Sequence, residues 1–305
     1  MSPEEKFFRL NFDNLISTIN HKTQLKVNAY SVYESGQSSI VANIETDQLQ
    51  PAVLKTGLNG QALIWEANAL NHWRQAINAP QVLQISPATT ELPAYIIYQR
   101  INHPRLKEIS PQSRIASGLS QKMGSTLATI HNLETPIESG LFPTLTTPSE
   151  ITTASAQRVD NLVKAGTLLP RHQATINRAM STITSSSVEQ KLCHGDFLAY
   201  NLFSDGQSLI VFDPDTIITD PMYDLANTTL NTIAEVVDFG QQEAQSIIAG
   251  YESKRPVDYQ LLQAFFTVQC IKKIEKWCQK NLTTKVARTI CFLESPPDFL
   301  RKNKN

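Results

Sequence analysis

The pattern of hydrophobic and polar positions divides the chain into two regions. Between residues 25 and 57, short runs of β-branched and aromatic residues alternate with turn formers, which predicts three strands in "KVNAYSVYES", "SSIVANIET" and "PAVLKTG". A helix is expected from about Gln61 to Ala76, and a further strand in "AYIIYQRI" (Ala94 to Ile101). The first hundred residues are therefore expected to form a small unit built on a β-sheet.

Further along the chain, apolar residues recur with the spacing of helices. The segments "RIASGLSQKMGSTLATIHNL" (114–133) and "DYQLLQAFFTVQCIKKIEKWC" (258–278) carry them at steps of three and four. The Ser/Thr-rich piece "STITSSS" (181–187) is typical of a loop, and "RKNKN" at the end is typical of a solvated tail. We therefore predict an α+β protein with a β-rich N-lobe, residues 1–100, and a larger helical C-lobe, residues 101–305.

Composition narrows the classes of function. The chain has 305 residues, long enough for two lobes, and 27 basic residues against 28 acidic ones leave a net charge of -1. Such a balance gives no strong field toward nucleic acid or an anionic membrane. The start "MSPEEKFFRL" is acidic where a signal peptide would be basic, and four cysteines show no metal-binding spacing. We expect a cytoplasmic protein without nucleic-acid or membrane partners, of undetermined oligomeric state.

Three oxygen-bearing side chains surround a short apolar run in "HGDFLAYNLFSDGQSLIVFDPD". Asn201 follows Asp196 by five residues, the separation of the catalytic Asp and the metal-binding Asn in a kinase catalytic loop. Asp213 ends the apolar run, where a kinase has its magnesium-binding Asp. Mg²⁺ prefers hard oxygen ligands, so Asn201 and Asp213 are predicted metal ligands, and Asp196 is predicted to orient a substrate hydroxyl. Turn residues on an unrelated fold are the alternative, which the spacing and the strand context disfavour.

A lysine and a glutamate in the N-lobe complete the prediction. Lys55 ends the apolar run "AVLK", as the β3 lysine of a kinase does. Glu66 lies on the apolar face of the following helix, where a carboxylate is costly unless it is paired. A Lys55–Glu66 ion pair would remove that cost and hold the lysine toward the α- and β-phosphates. The alternative is a glutamate at the edge of the apolar stripe that reaches water.

The segment "CHGDFLAYNLF…LIVFDPDTIITDPMYDLAN" resembles the C-lobe signature of the aminoglycoside phosphotransferase family, which are kinases of small molecules. Its "DP" after the strand is similar to the streptomycin 6-phosphotransferase and hydroxyurea-resistance branch. The resemblance implies a bilobal protein-kinase-like fold that uses ATP and Mg²⁺. The motif departs from the family pattern at three places: Leu198-Ala199-Tyr200 replaces polar or small residues, Asp215 replaces a basic one, and "IITD" replaces a Gly-containing approach to the second acidic motif.

The resemblance also assigns nucleotide contacts. Ser38 and Ser39, in the loop "YESGQSS", would contact phosphates, although the same loop also reads as a simple hairpin turn. The adenine would lie against backbone groups of the linker Gln99-Arg100-Ile101.

Several polar residues near the motif are assigned structural roles. Asp224 is predicted to brace the catalytic loop, Asp220 to cap a helix, His194 to position its loop and His131 to pack at a helix end. Four acidic residues in the C-lobe would either attract a cationic acceptor or form a solvated face: Glu235, Asp238, Glu243 and Glu252.

Three functions remain open at this point. The first is phosphate transfer to a hydroxyl of a small molecule, an aminoglycoside such as streptomycin being one acceptor. The second is a kinase of an endogenous sugar, amino alcohol or related metabolite. The third, from a different class, is a kinase-like regulatory protein that no longer transfers phosphate.

Overall fold

A computed structural model of the protein describes residues 12–22, 25–33, 39–48, 50–57, 59–90, 92–136, 140–236 and 238–300. The chain divides into two compact units. The first contains residues 1–103, 137–143 and 210–212, and the second contains residues 104–136, 144–209 and 213–305. In the described part of the chain, no helix combines the length and the apolar character needed to span a bilayer.

The first unit is built on a five-stranded antiparallel sheet with the strand order β1-β2-β3-β5-β4. Its elements in chain order are α1 (Phe12–Lys22), β1 (Val27–Val32), β2 (Ser39–Thr46), β3 (Ala52–Gly57), α2 (Gly60–Trp73), β4 (Val82–Ser86) and β5 (Tyr95–Gln99). The four predicted strands and the helix are present, whereas α1 and β4 were not predicted. All five residues of β4 are half-buried, so the strand shows none of the alternation that sequence analysis detects.

A hydrophobic core fixes the inner face of this sheet. Helix α1 contributes Phe12, Leu15, Ile16 and Ile19, and the central strand β3 contributes Leu54, which is fully buried. β3 pairs with β2 on one side and with β5 on the other, so that Lys55 lies between Val41 and Ile96. A central strand held on both edges gives the lysine a rigid backbone.

The second unit is mainly helical. Its helices are α3 (Pro111–Ala116), α4 (Leu119–Asn132), α5 (Pro148–Lys164), α6 (Gln173–Ser185), α7 (Pro221–Glu235), α8 (Gly240–Glu252), α9 (Tyr259–Gln279) and α10 (Thr283–Glu294). Its short strands are β6 (Lys191–Cys193), β7 (Leu202–Ser204), β8 (Leu209–Val211) and β9 (Ile217–Thr219), and β6 pairs with β9.

Two helical predictions need correction. The segment 114–133 is not one helix, because Gly118 adopts a left-handed conformation, φ 75°, between α3 and α4. The "STITSSS" segment is not a loop up to Ser185, because α6 continues through it. The hydroxyls of Thr182 and Thr184 donate to the carbonyls of Arg178 and Met180 at 3.0 Å, within the helix.

Burial explains why α6 continues despite its weak helix formers. Ile176, Ala179 and Ile183 form one buried face of the helix. Tertiary packing of that face overrides the low helix propensity of Ser and Thr. The predicted solvated tail, residues 301–305, and most of the "YESGQSS" loop lie outside the described residues.

Candidate active site

The loop that carries Asp196 leaves the buried strand β6 and makes a sharp turn. Gly195 has φ 76°, and a Cβ at this position would lie 1.9 Å from the backbone oxygen of Asp215. Only glycine fits both the conformation and the close approach. Beyond Asp196, the side chains of Phe197 and Leu198 are buried. The loop is therefore anchored on both sides of the carboxylate that it presents.

Asp224, in the first turn of α7, holds the backbone of this loop from beneath. Its Oδ2 accepts the His194 N–H at 2.7 Å, and its Oδ1 accepts the Gly195 N–H at 3.1 Å. The Nε2 of His131 lies 3.3 Å from the same Oδ2. The predicted bracing role of Asp224 is thus observed, and His131 is a fully buried packed residue. Asp220 caps α7 as predicted, accepting the Met222 N–H at 2.8 Å.

The Asp196 carboxylate is held by its neighbours in the loop. The Asn201 amide donates from Nδ2 to the backbone oxygen of Asp196 at 2.9 Å and to its Oδ2 at 3.0 Å. The Tyr200 hydroxyl lies 3.3 Å and 3.4 Å from the two carboxylate oxygens. His194 positions the loop as predicted, since its Nδ1 accepts the Asp196 N–H at 3.3 Å. The side chains of Asp196 and Asn201 therefore form one unit.

Burial raises the pKa of Asp196, and Lys273 is the charged residue that opposes this rise most strongly. Burial likewise raises the pKa of Tyr200, assisted by the negative charges of Asp196, Glu235 and Asp213. Three carboxylates thus act on one phenol, so their charges are concentrated in the same part of the second unit.

Asp213 has a backbone conformation that is uncommon for residues other than glycine. Its φ is 56°, in the left-handed region that costs a non-glycine residue free energy. Strain of this kind persists where the surroundings over-determine a residue, which is common at functional sites.

The side chains of Asn201 and Asp213 suit a hard cation. Both hydrogen bonds of Asn201 Nδ2 go to Asp196. Within the described chain, no hydrogen-bond donor contacts the other amide atom, Oδ1. An amide oxygen and a carboxylate are ligands that Mg²⁺ accepts. The donor set therefore fits the metal that the sequence predicted.

The first unit contains the predicted ion pair. Lys55 Nζ lies 2.6 Å from Glu66 Oε2, and both side chains are buried. The Tyr98 hydroxyl donates to the other oxygen of Glu66. Glu66 does not reach water at the edge of the helix, so that alternative is wrong.

The remaining predicted nucleotide residues are placed as follows. Ser39 begins β2, opposite Gly57, and Ser38 lies outside the described residues. Gln99 ends β5 with its N–H donated to the Gln81 carbonyl at 2.9 Å, and Ile101 follows in the linker.

The four acidic residues do not form an acceptor cluster. Glu243 is buried against Arg114, with an Nη2–Oε2 distance of 2.7 Å, so it serves packing between helices. Asp238 and Glu252 are exposed. Glu235 acts on Tyr200 and is itself paired with Lys285 at 3.4 Å.

Sequence analysis missed Lys273, a buried lysine of α9. Its exposed fraction is 7%, although lysine is rarely buried without a partner. Within the described chain it makes no hydrogen bond or ion pair, and it acts electrostatically on Asp196. The signal was available, because Lys273 follows Phe266 by seven residues and precedes Trp277 by four, on the buried face of the helix.

One further group in the described residues has the composition of a metal site: His131, Cys193 and Asp224, all buried. Asp224 already accepts two backbone N–H groups, and burial raises the pKa of the Cys193 thiol well above its usual value. A thiol binds metal as the thiolate, so this group is a hydrogen-bonded support for the loop.

Comparison with known proteins gives one family match and several solved structures with a similar fold. The sequence pattern of the phosphotransferase enzyme family matches residues 30–264. No curated protein sequence matches the chain significantly. Among solved structures, the chain is similar to a thermostable mutant of aminoglycoside phosphotransferase APH(4)-Ia in a ternary complex with AMP-PNP and hygromycin B. The identity is 15% and the TM-score 0.68, over 94% of this chain and 98% of that chain.

Two more structures share the fold. The GDP and kanamycin complex of APH(2")-IIia has 14% identity and a TM-score of 0.66, over 93% of this chain and 97% of that chain. The GDP complex of wild-type aminoglycoside 2'-phosphotransferase-IIIa has 14% identity and a TM-score of 0.65, over 93% and 97%. The chain therefore has the predicted protein-kinase-like fold.

Proposed function

The chain belongs to the phosphotransferase enzyme family, and we propose that it moves the γ-phosphate of ATP to a hydroxyl group of a small molecule in a magnesium-dependent reaction. The observation that carries the proposal is the Asp196–Asn201 unit, in which Asn201 Nδ2 donates to Asp196 Oδ2 at 3.0 Å and the amide oxygen does not take part in that hydrogen bond. This arrangement separates the two tasks of the reaction, orienting the acceptor and binding the metal.

Asp196 is proposed to accept a hydrogen bond from the acceptor hydroxyl and to align its oxygen with the γ-phosphorus. A new phosphorus–oxygen bond forms as the bond between the γ-phosphorus and the bridging oxygen breaks, and ADP leaves. The hydroxyl proton passes to the Asp196 carboxylate and then to solvent. Burial around Asp196, which raises its pKa, makes the carboxylate a better proton acceptor than one in water.

Asn201 and Asp213 are the proposed ligands of the magnesium ion, which, when bound, neutralises charge on the phosphates. Asp213 follows strand β8 with a left-handed backbone, φ 56°, a conformation that is common at functional sites.

Lys55 is proposed to bind the α- and β-phosphates, held by Glu66 at 2.6 Å. Backbone groups of Gln99 and Ile101 are proposed to bind the base. The Gln99 N–H is already donated to the Gln81 carbonyl, so the proposal uses the Gln99 carbonyl and the Ile101 backbone. Ser38 and Ser39 remain proposed phosphate contacts.

The similar structures support a nucleotide and a hydroxylated acceptor, because their complexes hold AMP-PNP with hygromycin B and GDP with kanamycin. The resemblance of the "DP" after the strand to the streptomycin branch supports an aminoglycoside as the proposed acceptor, and a metabolite of the cell is the second acceptor class.

The test begins with thermal stability in the presence of ATP, GTP and Mg²⁺, followed by phosphate transfer to a panel of hydroxylated compounds. We expect magnesium-dependent stabilisation by the nucleotide and transfer that Asp196→Ala abolishes. Asp213→Ala and Asn201→Ala should weaken magnesium-nucleotide binding as well. Nucleotide binding with the same slow ATP consumption in wild type and Asp196→Ala would support the regulatory alternative and overturn the enzyme proposal.

A further inference from the structure

Lys273 is a buried lysine to which the described residues supply no hydrogen-bond or ion-pair partner. It lies in the middle of α9 with an exposed fraction of 7%, and among the described residues it makes no hydrogen bond or ion pair. Burying an ammonium group is costly unless an opposite charge compensates it. The burial of Lys273 therefore reduces the stability of the folded protein. Destabilising groups of this kind are typical of positions that bind a ligand.

Charged groups of both signs act on the Lys273 ammonium group. Asp196 in the catalytic loop and Glu235 at the end of α7 attract its ammonium group, and Lys272 and Lys276 on its own helix repel it. Of the charged residues that act on Asp196, Lys273 has the largest influence. The ammonium group of Lys273 therefore lies within electrostatic range of the Asp196 carboxylate.

The other charges of this region do not neutralise Lys273. Lys272 donates to the Tyr223 hydroxyl at 3.2 Å and lies 5.8 Å from the centre of its ring. Glu235 is already paired with Lys285, and Arg288 Nη1 donates to the Ala234 carbonyl at 2.8 Å. The two side chains of α9 that act on Lys273, Lys272 and Lys276, are both basic, whereas a cationic acceptor would need acidic groups at this position.

We infer that the acceptor of this phosphotransferase carries an anionic group, a carboxylate or a phosphate, that Lys273 binds beside the hydroxyl oriented by Asp196. The inference rests on the proposed function and adds the substrate class. An anion would supply the missing partner of Lys273, and the pKa of the lysine, lowered to about 8 by burial, leaves it mostly protonated at neutral pH. A polycationic aminoglycoside would instead be repelled by Lys272, Lys273 and Lys276.

The test compares matched acceptors with wild-type enzyme, Lys273→Met and Lys276→Met. The acceptors are glycerol, glycerate and glycerol 3-phosphate; glucose, gluconate and glucose 6-phosphate; and kanamycin. We expect kcat/KM at least tenfold higher for an anionic member than for its neutral counterpart, with carboxylate and phosphate arms distinguishing the two anions. Lys273→Met should remove that preference. Lys276→Met, the same loss of charge at an exposed position one turn along α9, should retain most of it.

A binding experiment decides the case in which no compound of the panel is phosphorylated. Enzyme saturated with AMP-PNP and Mg²⁺ is titrated with inorganic phosphate and with glycerate, followed by calorimetry. Saturable binding of one anion per chain that Lys273→Met weakens at least tenfold supports the inference. Absence of such binding, equal binding by Lys273→Met, or an equal loss in Lys276→Met overturns it, as does preferred turnover of kanamycin or a neutral acceptor.

The two proposals fail in different ways. If neither ATP nor GTP stabilises the protein in the presence of Mg²⁺, and no acceptor receives phosphate, the proposed function is wrong. If a nucleotide binds and phosphate is transferred without preference for anions, the phosphotransferase assignment stands and the anionic acceptor is wrong.

Discussion

Each of the two units buries a lysine on which a carboxylate acts, and the two lysines differ in whether they form an ion pair. In the first unit, Lys55 is 2.6 Å from Glu66, and Tyr98 donates to the same carboxylate. In the second unit, Lys273 is buried to a similar extent, with exposed fractions of 7% and 6% for Lys273 and Lys55, but it makes no ion pair within the described residues. The first lysine is held in an ion pair, whereas the second is attracted by Asp196 and Glu235 without forming an ion pair within the described residues.

The difference indicates that Lys55 is fixed by a residue of the protein, whereas Lys273 is positioned to bind a ligand. A buried pair with good geometry fixes a side chain, and its two members depend on each other. Lys55 is therefore held in one position before any ligand arrives. An uncompensated buried ammonium group costs stability, and an anionic ligand would recover that cost. The contrast predicts that the two lysines respond in opposite directions to substitution.

The largest expected effect concerns the carboxylate beside Lys273. Asp196→Ala should reduce the rate of phosphate transfer by at least a thousandfold, ~4 kcal/mol in the activation barrier at ~1.4 kcal/mol per factor of ten. Nucleotide affinity should change little, because Asp196 acts on the acceptor. Steady-state transfer rates and nucleotide titration measure the two effects. A comparable loss of nucleotide affinity would remove the separation of tasks between Asp196 and Asn201.

Breaking the compensated pair should destabilise the protein. Glu66→Ala leaves Lys55 and the Tyr98 hydroxyl buried without their shared carboxylate, and loss of one partner of a buried pair costs roughly 3–5 kcal/mol. Urea unfolding measures the change. Lys55→Met with Glu66→Leu removes both charges and should recover much of the stability, since an apolar pair needs no compensation. If the double variant were as unstable as Glu66→Ala, packing would outweigh charge at this position.

Lys273→Met should do the opposite and stabilise the protein. Burial lowers the pKa of Lys273 from its usual 10.5 to about 8, which at ~1.4 kcal/mol per pKa unit is a cost of roughly 3–4 kcal/mol. The cost is fully present below pH 8 and disappears as the pH rises through 10.5, where the lysine is neutral in both folded and unfolded chains. Urea unfolding at pH 7 should therefore show that Lys273→Met raises the free energy of unfolding by at most roughly 3–4 kcal/mol. A loss of stability would mean that Lys273 has a structural role.

The pH dependence of anion binding should sharpen the same contrast. Lys273 binds an anion in its protonated form, and its pKa of about 8 places the transition within an accessible range. Affinity for glycerate should be constant below pH 8 and fall about tenfold for each further pH unit, a change of ~1.4 kcal/mol each. Calorimetric titration between pH 6.5 and 9.5 measures it. Lys273→Met should show a weak affinity with no transition near pH 8.

The architecture could be predicted from the sequence where the pattern was local. Strands β1, β2, β3 and β5 show the composition of strands, and α9 shows a clean helical period. The Lys55–Glu66 pair could be predicted because a carboxylate on an apolar face requires a partner. By the same argument, Lys273 could have been found on the buried face of α9.

Other features depended on tertiary context that a local pattern does not contain. α6 continues through "STITSSS" because Ile183 is buried against other helices, which sequence propensity does not register. β4 has no alternation because all of its residues are half-buried. The role of Glu243 required the position of Arg114, which lies 129 residues away in the chain. The positive φ of Asp213 has no sequence signature, because Asp is not the residue type that demands it.

The smallest expected effect concerns Tyr200, which contacts the same carboxylate that Lys273 influences. Its hydroxyl lies 3.3 Å and 3.4 Å from the Asp196 oxygens, longer than a strong hydrogen bond, whereas Asn201 approaches to 3.0 Å. Tyr200→Phe should therefore change kcat by less than about threefold, under ~1 kcal/mol, while Asn201→Ala has a much larger effect. The KM of the acceptor should fall slightly, because the acceptor hydroxyl no longer competes with the phenol for Asp196. Steady-state kinetics of the two variants measure both quantities, and a Tyr200→Phe loss equal to that of Asn201→Ala would make the phenol a necessary support of the carboxylate.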